Sequence, residues 1–143
     1  MTCVEGLAEF VHASRFEDIS SKAVEQLKIR VLDSLGCAIG ALQSQPVKSI
    51  RKIESEFGGL PLCTLVGGAK TAPDRATLIN GTLVRYLDFN DSFLSKGETC
   101  HPSDNLASIL AASEYAGTSG REFLVALAVA YQVQCRLSEV APV

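Results

Sequence analysis

The sequence predicts a mainly α-helical protein, a bundle of about six helices with at most one short strand. Apolar residues recur every three or four positions along most of the chain, which is the spacing of one face of a helix. Gly and Pro residues separate these apolar stretches from one another. The 143 residues are 47% hydrophobic, which is enough for one buried core. Residues 1–143 are therefore expected to form one domain, or one large part of a domain.

The first part of the chain predicts two helices. The first is short and carries His12 near its end, where the helix dipole favours a cation. The second is long, and Ser20 or Ser21 can cap its start. Its apolar face is formed by residues three or four apart, namely Val24, Leu27, Val31, Leu35, Ile39 and Leu42. Gly36 and Gly40 weaken this helix, so they predict the close approach of a neighbouring helix.

A third helix and one strand are predicted next. The helix follows Pro46 and ends at Gly58 and Gly59, because glycine commonly ends helices. Residues 60–66 are a short stretch that contains β-branched side chains and is bounded by Pro and Gly. This stretch is the one credible strand in the sequence.

Three more helices complete the predicted bundle. Pro73 suits the first turn of a fourth helix, which should end near Asp88. Residues 90–102 lack helical spacing and are predicted to form a loop. Ser103 is predicted to cap a fifth helix. The last helix, from about residue 121 to 139, is apolar on nearly every side, which predicts burial all round.

Composition and charge exclude several classes of partner. The formal net charge is only −3, with no cluster of Lys and Arg, so nucleic acid is not expected as a partner. The longest apolar stretches are shorter than the roughly 20 residues that span a bilayer, so no membrane is expected. Glu5 and Glu9 do not suit a leader peptide, and the five Cys residues include no close pair. Reduced thiols in a cytoplasmic protein are therefore expected.

The last helix also predicts an association. Few residues follow this helix before the sequence ends at residue 143, and they could not cover the outer side of an apolar helix. An uncovered apolar face of this kind is typical of an interface. The sequence therefore predicts a homo-oligomer, or association with a C-terminal portion that this chain does not contain.

The densest group of polar side chains lies between the fourth and fifth helices. Asp88 and Asp91 come at the end of one helix, and His101 stands just before the next. A carboxylate beside an imidazole forms a plausible acid–base pair. The free amides at the start of the Ser103 helix favour an anion, such as a substrate carboxylate.

Simpler interpretations of these residues remain open on spacing alone. His101 suits a helix start, and Asp88 and Asp91 suit ordinary turns. A metal site from Asp88, Asp91 and His101 is not favoured, because a further ligand has no clear candidate. Cys100, next to His101, has no third group to orient a nucleophilic pair.

Two motifs in this stretch resemble a known family. LDFND at 87–91 and HPSDN at 101–105, followed by an alanine-rich helix, are similar to the 2-methylcitrate dehydratase (MmgE/PrpD) family. Its members include cis-aconitate decarboxylase and iminodisuccinate epimerase. RVLDSLGCAIGAL at 30–42 and NGTLVRYLDFND at 80–91 support the resemblance, which runs over essentially the whole chain.

The resemblance implies a site and a reaction. Asp88 and His101 match active-site residues of the family, and Ser92 stands where relatives often have a threonine. Ser92, Asp91 and Ser103 are expected to bind the substrate, a small carboxylate. The implied reaction is the loss of water from a hydroxy-tricarboxylate, with no cofactor and no metal. A related decarboxylase or epimerase reaction is the alternative.

The resemblance also implies that this chain is part of a larger unit. The family has a large helical domain, of which residues 1–143 resemble the N-terminal part. Its second, lid domain and its later catalytic lysine and histidine residues are absent from this chain. A non-catalytic helical fragment that self-associates is therefore the second hypothesis.

Overall fold

A computed structural model describes residues 1–96 and 99–141. These residues form six α-helices and four two-residue strands, so the predicted mainly α fold is confirmed. The helices are α1 (Cys3–Ala13), α2 (Ser21–Gly40), α3 (Gln45–Phe57), α4 (Pro73–Arg85), α5 (Leu106–Ala116) and α6 (Gly120–Val140). The strands are β1 (Cys63–Thr64), β2 (Lys70–Thr71), β3 (Phe93–Leu94) and β4 (Thr99–Cys100). Two 3-10 turns, Phe16–Asp18 and Pro102–Asn105, complete the described elements.

The strands differ from the prediction of at most one. β1 and β2 pair antiparallel, as do β3 and β4. The second pair lies within residues 90–102, which were predicted to be a loop. Strands of two residues are too short to show the alternating pattern by which a strand is recognised in a sequence.

Helix α4 lies at the centre of the fold. It packs against α2, α3 and α5, and five of its residues are buried, namely Ala76, Ile79, Asn80, Leu83 and Val84. Asn80 is polar, but its side chain bonds the main chain of β1 and of the following residues. Its amide donates to Thr64 O, and its carbonyl accepts from Val66 N, both at 2.9 Å. The buried polar group is therefore satisfied, as the core of a stable fold requires.

The two glycines of α2 have different surroundings. A Cβ at Gly40 would lie 3.0 Å from Leu87 Cδ1, so the chain that follows α4 does approach this position closely. A Cβ at Gly36 would meet nothing within 4 Å. At Gly40 the close neighbour is therefore a turn rather than the predicted helix, and at Gly36 the predicted close approach is wrong.

Helix α6 is not buried all round within this chain. Leu127 is its one buried residue, although Phe123, Leu124, Ala128 and Tyr131 pack against the core. The opposite face lines a groove of about 1360 Å³ that also reaches the end of α1. Among the described residues, α6 is also the one helix long and apolar enough to cross a membrane, a test that core helices of soluble proteins pass as well.

Glu114, on α5, binds that helix to the first strand pair. Its carboxylate accepts hydrogen bonds from the Thr64 hydroxyl and from Thr64 N, the latter at 2.6 Å. Lys70 Nζ lies 3.4 Å away. The Thr64 bonds, with a smaller contribution from Lys70, hold the pKa of Glu114 below its ordinary value of 4.5.

This lowered pKa predicts an acid-dependent stability. Because the folded pKa of Glu114 lies below the unfolded one, its contribution is present above about pH 4.5 and is lost as the pH falls through the folded value. Glu114→Gln should therefore flatten the decline of the unfolding free energy below that pH, as measured by urea denaturation. Glu56→Gln, on the exposed side of α3, should leave the decline unchanged. Equal pH dependence in wild type and Glu114→Gln would contradict the prediction.

Candidate active site

The site begins where α4 ends. The helix stops at Arg85 rather than at the predicted Asp88, and Asp88 adopts a left-handed backbone with φ of 55°. Aspartate is one of the few residues other than glycine that adopt this conformation readily. Its N–H donates to Arg85 O at 3.1 Å. Asp88 thus turns the chain sharply, towards residues 90 and 91.

Arg85 is the cationic centre of the region. Its guanidinium donates to Asp88 Oδ1 at 2.9 Å and to Asn90 Oδ1 at 3.3 Å, and its Nε forms an ion pair with Asp104 Oδ1 at 2.8 Å. Burial raises the pKa of the Asp104 carboxyl, and Arg85 and then His101 partly offset this by favouring the charged form. Asp88 and Asp104 are thus two carboxylates held by one shared cation.

His101 has a defined orientation. Its Nδ1 lies 2.8 Å from the carbonyl oxygen of Asp91. A carbonyl oxygen accepts only, so the Nδ1 atom carries the proton and the neutral ring keeps Nε2 as its free basic nitrogen. Ser92 Oγ is 3.4 Å from the same Nδ1, where it can only accept. The Ser92 hydroxyl proton is therefore free to donate elsewhere.

Asp91 connects three parts of the structure. Its carbonyl accepts from the His101 ring, and its Oδ1 accepts from Ser103 N at 3.1 Å. Tyr131, on α6, is near enough for the charge of Asp91 to act on its hydroxyl. Burial first, and then the charge of Asp91, raise the pKa of Tyr131 far above its ordinary value, so the hydroxyl stays protonated.

Four of the five predicted site residues lie together. His101, Asp91, Ser92 and Ser103 form one cluster of direct contacts. Asp88 is 73% exposed at its side chain and pairs with Arg85. Within the described part of the chain, no hydrogen bond or ion pair joins Asp88 to His101.

Ser103 does not act as the predicted helix cap. It lies in the 3-10 turn that precedes α5, and the helix itself begins at Leu106. Its side chain is 1% exposed, and its hydroxyl has no hydrogen-bond partner among the described residues. Because the Pro at residue 102 suits a tight first turn, the chain forms a 3-10 turn here before the α-helix. The main-chain N–H of Ser103 serves Asp91 instead.

Three residues of this region were not predicted from the sequence. Arg85 is three residues before Asp88, the spacing of a helical ion pair, so the RYLD segment carried a usable signal. Asp104 is far from Arg85 in the sequence, so no local spacing indicates their ion pair. Tyr131 lies on another helix, and nothing in its local sequence indicates that it lies near Asp91.

The arrangement can perform proton transfer. Among the described residues, one His101 nitrogen is bonded to the main chain and the other has no bond, and the Ser92 hydroxyl proton is not used by His101. Asp88 and Asp104 are carboxylates beside a cation. In the described residues, no group of three or more His, Cys, Asp or Glu side chains could hold a metal ion. The helical fold and this cluster together define a candidate acid–base site on a loop between two helices.

Comparison with known proteins identifies the family. Residues 5–143 match the MmgE/PrpD N-terminal domain, so the chain belongs to the MmgE/PrpD family.

Curated relatives share this region of sequence. The chain is 33% identical over 132 residues to the probable 2-methylcitrate dehydratase of Saccharomyces cerevisiae, covering 85% of this chain and 25% of the relative. It is 35% identical over 130 residues to the mitochondrial 2-methylcitrate dehydratase of Yarrowia lipolytica, covering 85% and 24%. With the 2-methylcitrate dehydratase of Escherichia coli K12, the identity is 33% over 130 residues, covering 82% and 27%. The chain spans about a quarter of the length of these relatives.

Proposed function

We propose that this chain carries part of the active site of a lyase that removes water from a hydroxy-tricarboxylate of the 2-methylcitrate type. The observation that supports this most strongly is the His101 ring, whose Nδ1 is engaged by Asp91 O at 2.8 Å. A neutral imidazole with a free Nε2 is the form that a general base requires. The relatives named 2-methylcitrate dehydratase support the substrate class.

In the proposed reaction, two protons change place. The free Nε2 of His101 takes a proton from the carbon next to a substrate carboxylate. An acid gives a proton to the departing hydroxyl, which leaves as water, and a double bond forms between the two carbons. Asp88, the residue named by the family resemblance, is one candidate acid, and Asp104, which shares the Arg85 cation with it, is the other. No cofactor enters this scheme.

Ser92 suits the role of a substrate ligand. It is exposed, and its hydroxyl proton is not used by His101. A hydroxyl donor near the base would hold a substrate carboxylate and stabilise the negative charge that develops on it during proton removal. Ser103, whose hydroxyl is buried, is proposed to contribute through the main-chain bond to Asp91 instead.

The test is a product assay. The chain is incubated with 2-methylcitrate and with citrate, alone and together with a polypeptide that covers the rest of the E. coli relative. We expect an unsaturated tricarboxylate and one molecule of water. Loss of carbon dioxide would indicate a decarboxylase, and inversion without a change of mass an epimerase. If neither acid is converted in either arrangement while the E. coli relative is active, the proposal fails.

A second candidate function, association with another polypeptide, is supported by the exposed side of α6. Residues of that face line the large groove, and Cys100 and Asn105, on either side of His101, also belong to its wall. The predicted homo-oligomer, or association with a C-terminal portion, would cover this face. Sedimentation at micromolar concentration tests it, since a stable monomer would argue against self-association. A cytoplasmic location stays a prediction, and one relative is named mitochondrial.

A further inference from the structure

Arg85 lies where the two ends of the loop between α4 and α5 meet. We propose that Arg85 is a positioning residue, whose single guanidinium joins the segment after α4 to the turn that carries His101 and so sets the position of the candidate base. This inference rests on the proposed function of His101. Arg85 acts through its neighbours, so it need not touch the substrate.

The guanidinium has partners on both sides of the loop. On the side that follows α4, Nη2 donates to Asp88 Oδ1 at 2.9 Å and Nη1 donates to Asn90 Oδ1 at 3.3 Å. On the other side, Nε forms an ion pair with Asp104 Oδ1 at 2.8 Å. Three nitrogens of one rigid, planar group thus contact three residues, so the group restrains where these residues lie relative to one another.

Arg85 is itself carried by the core. It is the last residue of α4, the helix that packs against α2, α3 and α5. The two residues before it, Leu83 and Val84, are 0% and 3% exposed. The guanidinium therefore extends to the loop from a firmly packed position.

The ion pair with Asp104 reaches His101 through one short turn. Asp104 N donates to His101 O at 2.9 Å, and the His101 ring donates to Asp91 O at 2.8 Å. Arg85 therefore bridges the same gap as the ring bond, from the α4 side to the turn. Without Arg85 the turn is freer to move away from Asp91. The bond from Ser103 N to the Asp91 carboxylate would remain, so the ring bond should weaken rather than disappear.

The surrounding charges support this role. Burial raises the pKa of the Asp104 carboxyl, Arg85 and then His101 oppose the rise, and the charges of Asp91 and Asp88 add to it. Arg85 is thus the main counter-charge in a group of three carboxylates. Its removal would leave these carboxylates to repel one another across the two ends of the loop.

Two variants of Arg85 and one control test the proposal in the full chain. Arg85→Met keeps an unbranched side chain and removes the charge and every donor. Arg85→Lys keeps the charge but replaces the planar group with one ammonium, which cannot reproduce the three contacts. The matched control is Arg75→Met, on the same helix, because Arg75 Nε lies 3.6 Å from its sequence neighbour Asp74 and does not bridge the loop through that pair.

The first measurement is the titration of the Asp104 carboxyl by 13C NMR. In Arg85→Met its midpoint should rise by about one pH unit or more, because the nearest opposite charge is lost. Arg85→Lys should show a smaller rise, and Arg75→Met should match wild type.

The second measurement is the tautomer of the His101 ring, from a long-range proton–nitrogen spectrum at a pH where the imidazoles are neutral. The chain contains two histidines, and His12, exposed on α1, serves as an internal reference. In wild type we expect the His101 proton on Nδ1. The Nε2-protonated form should rise several-fold in Arg85→Met and less in Arg85→Lys, and Arg75→Met should leave the His101 shifts unchanged.

An unchanged Asp104 midpoint or unchanged His101 shifts in folded Arg85→Met would overturn the positioning role. If circular dichroism shows that Arg85→Met does not fold, the His101 shifts of Arg85→Lys decide in the same way. Unfolding of both variants would also overturn the role, because Arg85 would then serve the fold alone.

These outcomes are separate from those of the product assay, because the spectra need no turnover. The expected changes without lyase activity would remove only the proposed function. Lyase activity without the expected changes would remove only the positioning role.

Discussion

His101→Asn is expected to reduce kcat for 2-methylcitrate by roughly 10²–10⁴-fold in the complemented assay, the contribution usual for a general base. Asparagine places an amide N–H near the position of Nδ1, so the bond to Asp91 O can persist. It has no nitrogen that can take a proton. The variant therefore removes the base and keeps the local structure, and KM should change much less than kcat.

The control for this variant is His12→Asn. His12 lies in the exposed last turn of α1, and its replacement should leave turnover as it is in wild type. Turnover that survives in His101→Asn at the level of His12→Asn would show that His101 does not act as the base. The acid would then have to be sought among Asp88 and Asp104, and the base elsewhere in the family's fold.

Leu83→Ala is expected to lower the free energy of unfolding by about 2–5 kcal/mol, the usual cost of a cavity at a buried leucine. Leu83 is 0% exposed on α4, the central helix that ends at the candidate site. Leu78, on the same helix, is 54% exposed, so Leu78→Ala has the same change of side chain without the cavity. It should cost no more than roughly 0.5 kcal/mol.

Urea denaturation monitored by circular dichroism measures both variants. The midpoint should fall strongly for Leu83→Ala and little for Leu78→Ala, with similar slopes. Equal losses in the two variants would contradict the central place of α4 in the core. Because α4 positions Arg85 and Asp88, Leu83→Ala should also lower the fraction of molecules in which the candidate site is folded.

Much of the fold could be predicted because helices leave a periodic trace in sequence. The spacing of Val24, Leu27 and Val31 predicted α2, and Pro73 predicted the start of α4, which the structure begins at that residue. Residues 60–66 were predicted to form a strand and contain β1, but β2, β3 and β4 left no such trace. They are held by a few main-chain bonds, to which many different side chains are equally suited.

The candidate site could be predicted only in part. His101, Asp91 and Ser92 were found because they flank one short connection between helices, and the chain brings its two ends together. The bond from the His101 ring to Asp91 O could not be predicted, since a carbonyl oxygen is common to every residue. The ion pair between Arg85 and Asp104 could not be predicted either, because the two residues are far apart in the sequence and meet only in the tertiary fold.

The most direct measurement is the imidazole spectrum of the unmodified chain. The proposed base requires that the neutral His101 ring carry its proton on Nδ1, bonded to Asp91 O, with Nε2 unprotonated. A long-range proton–nitrogen spectrum should then show a pyrrole-type Nδ1 and a pyridine-type Nε2 for His101, distinct from the exposed His12. A ring with its proton on Nε2, or an equal mixture like that of His12, would contradict the account.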